Sequence, residues 1–193
     1  MPLAEPLYML DTNIVSCLME PPEKARRLCC QERFDALRGR VAISVIVQAE
    51  IFAGLEKNPS PRKERQLHEL MRGIHVEYLR PDLWFSDLYA CILARLERCG
   101  EPLQQFDVAI AAHAMALGAT LISNDRGFER VEGLKLENWL APEEAGKRPT
   151  LGVAEPIAAY ASRWGATRSA PAPASAVWMS RSPAVGYASS HAR

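Results

Sequence analysis

The chain has 193 residues, 48% of them hydrophobic and 24% charged, with a formal net charge of zero. Those values fit one soluble globular domain with an appendage, long enough to bury a single substantial core. They argue against a membrane protein, since no apolar run approaches the roughly 18–20 residues a span needs. The opening MPLAEPLYMLDTN lacks a basic stretch followed by a long apolar run, so no signal peptide is read there and the expected compartment is the cytoplasm.

In chain order, LYML is a short apolar run that reads as a buried strand ending at Asp11. Asp11, Thr12 and Asn13 then offer capping side chains for a helix to about Glu20. PPEKARRLCCQERFDALRG has Pro at its start, Gly at its end and apolar residues at helical spacing between them, which predicts a second helix. VAIS is β-branched and apolar, a second strand. SVIVQAEIFAGL follows as a helix to about Lys57, broken by NPSP. A charged helix is expected over 62–72, a strand in IHVEYL, and a helix from Asp82 to Arg98 stopped at Gly100. FDVAIAAHAMALG reads as a helix stopped at Gly118, ATLISND as a strand and turn, and LKLENW as a last short strand.

Strands alternating with helices predict a three-layer α/β/α arrangement around a central parallel sheet. Two regions are expected: a domain over 1–144 and an irregular, low-complexity tail over 145–193, containing SAPAPASA, expected to be disordered. VAEPIAAYASRW within it has the pattern of a short helix. Residues 1–140 hold 17 Lys and Arg against 20 Asp and Glu, so the positive excess lies in the tail. The five cysteines (Cys17, Cys29, Cys30, Cys91, Cys99) show no metal-ligand spacing and are expected as buried, reduced thiols.

Glu50 stands in the middle of an apolar stretch, where an unpaired carboxylate is costly. Three more acids share that oddity: Asp11 closes an apolar strand, Asp107 opens an apolar helix, and Asp125 follows the apolar strand TLIS. In an open parallel sheet ligands collect at the carboxyl ends of the strands. Asp11 and Asp125 are expected there, with Glu50 and Asp107 in the first turns of helices beginning on the same side. Each acid alone has an ordinary reading, as an N-cap, a turn former, a residue favouring a helix's positive end, or a solvent-facing side chain. Together, four converging carboxylates repel one another unless a cation lies between them. Oxygen donors without Cys or His clusters favour Mg²⁺ over zinc. Such an ion beside a phosphodiester supplies an acidified water and stabilises charge on phosphoryl oxygens.

The segments LYMLDTNIVSCL, AISVIVQAEIFAGLEK and RLERCGEPLQQFDVAIAAHAMALGATLISNDRGFERVEGLKLENW resemble, in order and spacing, the PIN-domain ribonucleases, and among them the VapC and FitB-type toxins of bacterial toxin–antitoxin pairs. The resemblance covers about residues 7–140. It implies a helix-flanked parallel sheet, RNA cleavage dependent on Mg²⁺ or Mn²⁺, a homodimer, and inhibition by a cognate VapB-like antitoxin. It also implies site residues one by one: Asp11, Glu50 and Asp107 as metal-holding catalytic acids, Asp125 as a fourth and more variable acid, and Thr12 and Asn124 as supporting polar residues. Glu129 is a second candidate for the fourth position. QQFD departs from the small or polar residues often found before the third acid, which puts Phe106 at the entrance.

His113, on an apolar helix, is expected to be a core residue. Arg95, Arg98, Arg126 and Arg130 flank the acids in sequence and are candidate phosphate-binding groups, since Arg offers a bidentate fork. The basic residues between Lys24 and Arg40 are expected on a solvated helix face, and Trp84 and Trp139 in the core. No Walker A, GxGxxG, HExxH or GxSxG pattern is present. The expected activity is that of a metal-dependent endoribonuclease toxin, cytoplasmic and without membrane contact. The alternatives are an inactive PIN-like binding or co-repressor subunit, or a DNA- or structure-specific nuclease using the same acids.

Overall fold

The structure, a computed structural model, describes residues 7–21, 23–80 and 84–140. The expected tail, with its short helix in VAEPIAAYASRW, lies outside the described residues.

Strands β1 (Tyr8–Leu10), β2 (Val41–Ser44), β3 (His75–Glu77), β4 (Thr120–Ile122) and β5 (Leu136–Glu137) form one sheet in the order β3-β2-β1-β4-β5. Every neighbouring pair is parallel. The three inner strands are continuous apolar runs: Met9, Leu10, Val41, Ala42, Ile43, Leu121 and Ile122 are fully buried. That is the composition a parallel sheet covered on both faces requires. Between the strands lie α1 (Thr12–Leu18), α2 (Ala25–Ala36), α3 (Val45–Lys57), α4 (Pro61–Met71), α5 (Phe85–Arg98) and α6 (Gln105–Ala116), with a 3-10 turn at Arg126–Arg130.

The chain runs outward from β1 through β2 to β3, then returns to lay β4 on the other side of β1. The carboxyl ends of β1 and β4 therefore flank the point where the strand order reverses, the usual place for a ligand in an open parallel sheet. Leu10 pairs with Ile122 there, and the Asp11 amide donates to the Ile122 carbonyl at 3.0 Å. Two elements present the remaining acids to this edge. β2 passes into α3 without a loop, because Ser44 ends the strand and caps the helix, its Oγ accepting the Ile46 amide at 3.1 Å. α6 is alanine-rich and buried over Val108–Ala114, and its small side chains let it pack closely against α5, β2, β4 and α3.

Several boundaries differ from the sequence reading. Glu50 lies in the second turn of α3, not the first, because it is the sixth residue of a helix that begins at Val45, directly after its Ser44 cap. IHVEYL yields only three paired residues, since an edge strand has one neighbour and Ala42–Ser44 is all it offers. The first helix ends at Leu18. All five cysteines are free, yet only Cys17 and Cys30 are buried and Cys99 is exposed, so the expectation of burial holds for two of them. Gly100 and Gly118, at φ +70° and +65°, end α5 and α6 in the left-handed region as their positions predicted. Trp139 is fully buried and Trp84 packs against the core.

Candidate active site

Asp11 follows the last residue of β1 and caps α1, and its carboxylate is almost wholly enclosed. Oδ1 accepts the Thr12 amide at 2.7 Å. Oδ2 accepts Asn13 Nδ2 at 2.6 Å and Ser123 Oγ at 2.7 Å. These donors fix the orientation of the group. Burial nevertheless pushes its pKa up, opposed by the bonds from Ser123 and Thr12 and reinforced by the charges of Glu50 and Asp125.

Glu50 is reached from the same turn. Thr12 Oγ1 donates to Glu50 Oε2 at 2.6 Å, so consecutive residues of α1 hold the first and second acids. Asp107, in the first turn of α6, has no hydrogen-bond donor among the described residues. Its pKa is raised to about 6, first by burial and then by the charges of Asp11, Asp125 and Glu50. Asp125 caps the 3-10 turn, Oδ1 accepting the Gly127 amide at 2.7 Å. The turn-forming role and the acidic role thus coexist in one side chain. Asp125, and not Glu129, is the neighbour that raises both Asp11 and Asp107.

Ser123 joins these pieces. Its hydroxyl donates to Asp11 Oδ2 and accepts Asn13 Nδ2 and the Asp125 amide, each at 3.0 Å. Ser123 did not stand out in the sequence, and Asn13 was visible there only as a capping side chain for α1. Asn124, expected as the supporting polar side chain, is exposed, and only its backbone amide approaches Asn13 Oδ1, at 3.5 Å. Ser123 occupies the supporting place instead.

The flanking arginines divide. Arg95 is ion-paired with Glu132, and Arg130 Nε donates to the Gly127 carbonyl at 3.3 Å. Arg98 and Arg126 are exposed, without an ion pair among the described residues. Phe106 is 61% exposed and faces α3 across an apolar groove of about 640 Å³ that Glu50 and Lys57 also line. His113 is buried and neutral, its pKa lowered to about 4 by burial and the Arg80 charge.

No Lys, Arg or His among the described residues pairs with any of the four acids. Oxygen is the only donor type they offer, which suits a hard divalent ion. Among the described residues no group of three or more acidic, His or Cys side chains is gathered closely enough to hold a metal ion as it stands.

A family model described as "PIN domain" matches residues 8–134. The chain is similar to "Ribonuclease VapC2" of Haemophilus influenzae, 37% identical over 136 residues, which is 69% of this chain and 98% of that protein. It is 34% identical over 133 residues to the "tRNA(fMet)-specific endonuclease VapC" of Shigella flexneri, covering 68% of this chain and 97% of that one. The solved VapBC2 of Rickettsia felis, bound to a DNA fragment from its promoter, superposes with a TM-score of 0.61 at 28% identity, over 69% of this chain and 98% of its counterpart.

Proposed function

We propose, starting from the fact that the chain belongs to the PIN-domain family, that it is an endoribonuclease toxin that hydrolyses RNA phosphodiester bonds and is restrained by a cognate antitoxin. What supports this reading is that four acids from four separate segments lie near enough to influence one another, none of them neutralised by a described cation: Glu50 and Asp125 act on Asp11, and Asp107 is raised to about 6 by burial and then by Asp11, Asp125 and Glu50.

Asp11, Glu50 and Asp107 would hold a divalent ion, Mg²⁺ with Mn²⁺ as a substitute, and Asp125 completes the acidic set. When bound, such an ion supplies an acidified water and charge neutralisation at the phosphoryl oxygens. The chain's own residues do the rest. Ser123 and Asn13 hold the Asp11 carboxylate in one orientation. Thr12 holds Glu50. Asp107, with no hydrogen-bond donor among the described residues, keeps both oxygens available. Arg98 and Arg126, exposed and flanking the acids in sequence, are assigned in this reading to RNA phosphates. With water as nucleophile, the products carry 5′-phosphate and 3′-hydroxyl ends.

The name of the Shigella flexneri relative makes initiator tRNA the first substrate to try. The VapBC2 structure supports a VapB-like partner, and the protein is proposed to act as a homodimer within that assembly. Among the described residues no helix is long and apolar enough to cross a membrane.

The test is incubation of purified protein with labelled RNA and DNA in Mg²⁺ or EDTA. RNA cleavage that requires Mg²⁺ and is lost in Asp11→Asn supports the reading. Full activity in that variant, or cleavage in EDTA, rejects the mechanism. Cleavage of DNA alone would assign the same acids to a DNA nuclease, and binding without cleavage would assign the protein to the binding subunits.

A further inference from the structure

Asp107 and Glu50 lie on different helices, and only one side-chain hydrogen bond joins those helices among the described residues. Ser44 Oγ and His113 Nδ1 are 2.9 Å apart, both fully buried. Ser44 caps α3, which carries Glu50 six residues on; His113 belongs to α6, which carries Asp107 six residues earlier. Asp107 feels the Glu50 charge, so the two helices joined by the Ser44–His113 bond also carry the two carboxylates that influence each other.

The sense of the bond follows the histidine tautomer: with the proton of the neutral imidazole on Nε2, toward the Tyr78 backbone, Nδ1 accepts the Ser44 hydroxyl proton while Ser44 Oγ accepts the Ile46 amide. Nε2 lies toward the Tyr78 backbone without a well-formed hydrogen bond. A buried donor left in that state is costly, and an apolar side chain of similar size would avoid the cost. Phe85 packs on the ring edge, with centroids 6.3 Å apart at 86°, which fixes the ring plane. What the histidine provides in return is the acceptor at Nδ1.

We propose that the Ser44–His113 hydrogen bond sets the height of α6 against α3, and with it the separation of Asp107 from Glu50, making His113 a positioning residue for the acidic site. The inference rests on the preceding reading, in which those two carboxylates act together. A displacement of about 1 Å at a reacting centre costs on the order of a hundredfold in rate, so a single buried bond has leverage.

The test compares wild type, His113→Leu, His113→Asn and Ser44→Ala for thermal melting, Mn²⁺ affinity, and kcat and KM on an RNA substrate. Asn returns an acceptor oxygen near the place of Nδ1. The expected result is a His113→Leu protein that melts at or above the wild-type temperature, binds Mn²⁺ about tenfold more weakly, and loses kcat about tenfold with KM unchanged. His113→Asn should recover both to within about threefold, and Ser44→Ala with His113→Leu together should be no worse than the more severe single change. Unchanged Mn²⁺ affinity and kcat in His113→Leu overturn the proposal. If that variant does not fold, Ser44→Ala is judged by the same readings. If wild type neither binds Mn²⁺ nor cleaves RNA, the functional reading has failed on its own. Metal-free crystal structures of wild type and His113→Leu then decide: a changed Asp107–Glu50 carboxylate separation supports the tie, and an unchanged one rejects it.

Discussion

Thr12 Oγ1 donates to Glu50 Oε2 at 2.6 Å across 38 residues of sequence. The preceding residue, Asp11, takes the Thr12 amide on its own carboxylate. One threonine therefore orients two acids, one through its backbone and one through its side chain. Thr12→Val keeps the shape and removes only the hydroxyl. A hydrogen bond to a charged group is worth about 1.5–3 kcal/mol, so kcat should fall roughly 10- to 100-fold. Thr12→Ser should recover most of it, and wild-type turnover in Thr12→Val would show that Glu50 does not need holding.

Asp107 gives a dependence on pH whose sign is fixed by its raised pKa. In the metal-free protein its carboxyl holds a proton up to about 6, against an ordinary value near 3.8. Between those limits the folded chain binds more protons than the unfolded chain, so stability is highest at the acid end and falls as pH rises through the window. Asp11 is shifted in the same direction. Asp107→Asn should therefore melt above wild type at pH 7.5 in EDTA, with a smaller difference at pH 4.5. Mg²⁺ should raise the melting temperature of wild type more than that of the variant. A lower melting temperature for Asp107→Asn in EDTA at pH 7.5 would contradict the account.

Gly127 lets Asp125 cap its turn. A Cβ there would stand 2.8 Å from Leu103 Cδ2 and 3.1 Å from Asp125 Oδ1. Leu103 can yield, but the Asp125 carboxylate is held by the Gly127 amide itself, so the side chain and its turn must move together. Gly127→Ala is expected to lower kcat about tenfold while changing stability by less than about 1–2 kcal/mol. Steady-state kinetics with urea unfolding measures both. A variant with wild-type kcat would show that the fourth acid need not be placed by this turn.

The sequence made the four acids visible because each interrupts an apolar pattern, and it made α3 and the ends of α5 and α6 visible through caps and glycines. Ser123 was hidden for a physical reason. It resembles any polar residue at the end of a strand, and its three hydrogen bonds depend on β1 and β4 lying side by side although more than a hundred residues separate Asp11 from Ser123. Glu50 lies one turn deeper than expected simply because it is the sixth residue of a helix that begins straight after β2, a boundary the sequence did show. His113 was legible as a core residue from its apolar neighbours, but its partner was not, because Ser44 lies 69 residues away.

The central claim is that Asp11, Glu50 and Asp107 share one divalent ion, and the most direct measurement is Mn²⁺ titration followed by electron paramagnetic resonance on wild type, Asp11→Asn and Asp107→Asn, without RNA. The account predicts a single class of site in wild type and a loss of affinity of at least about tenfold in each variant. Equal Mn²⁺ affinity in all three proteins would contradict it.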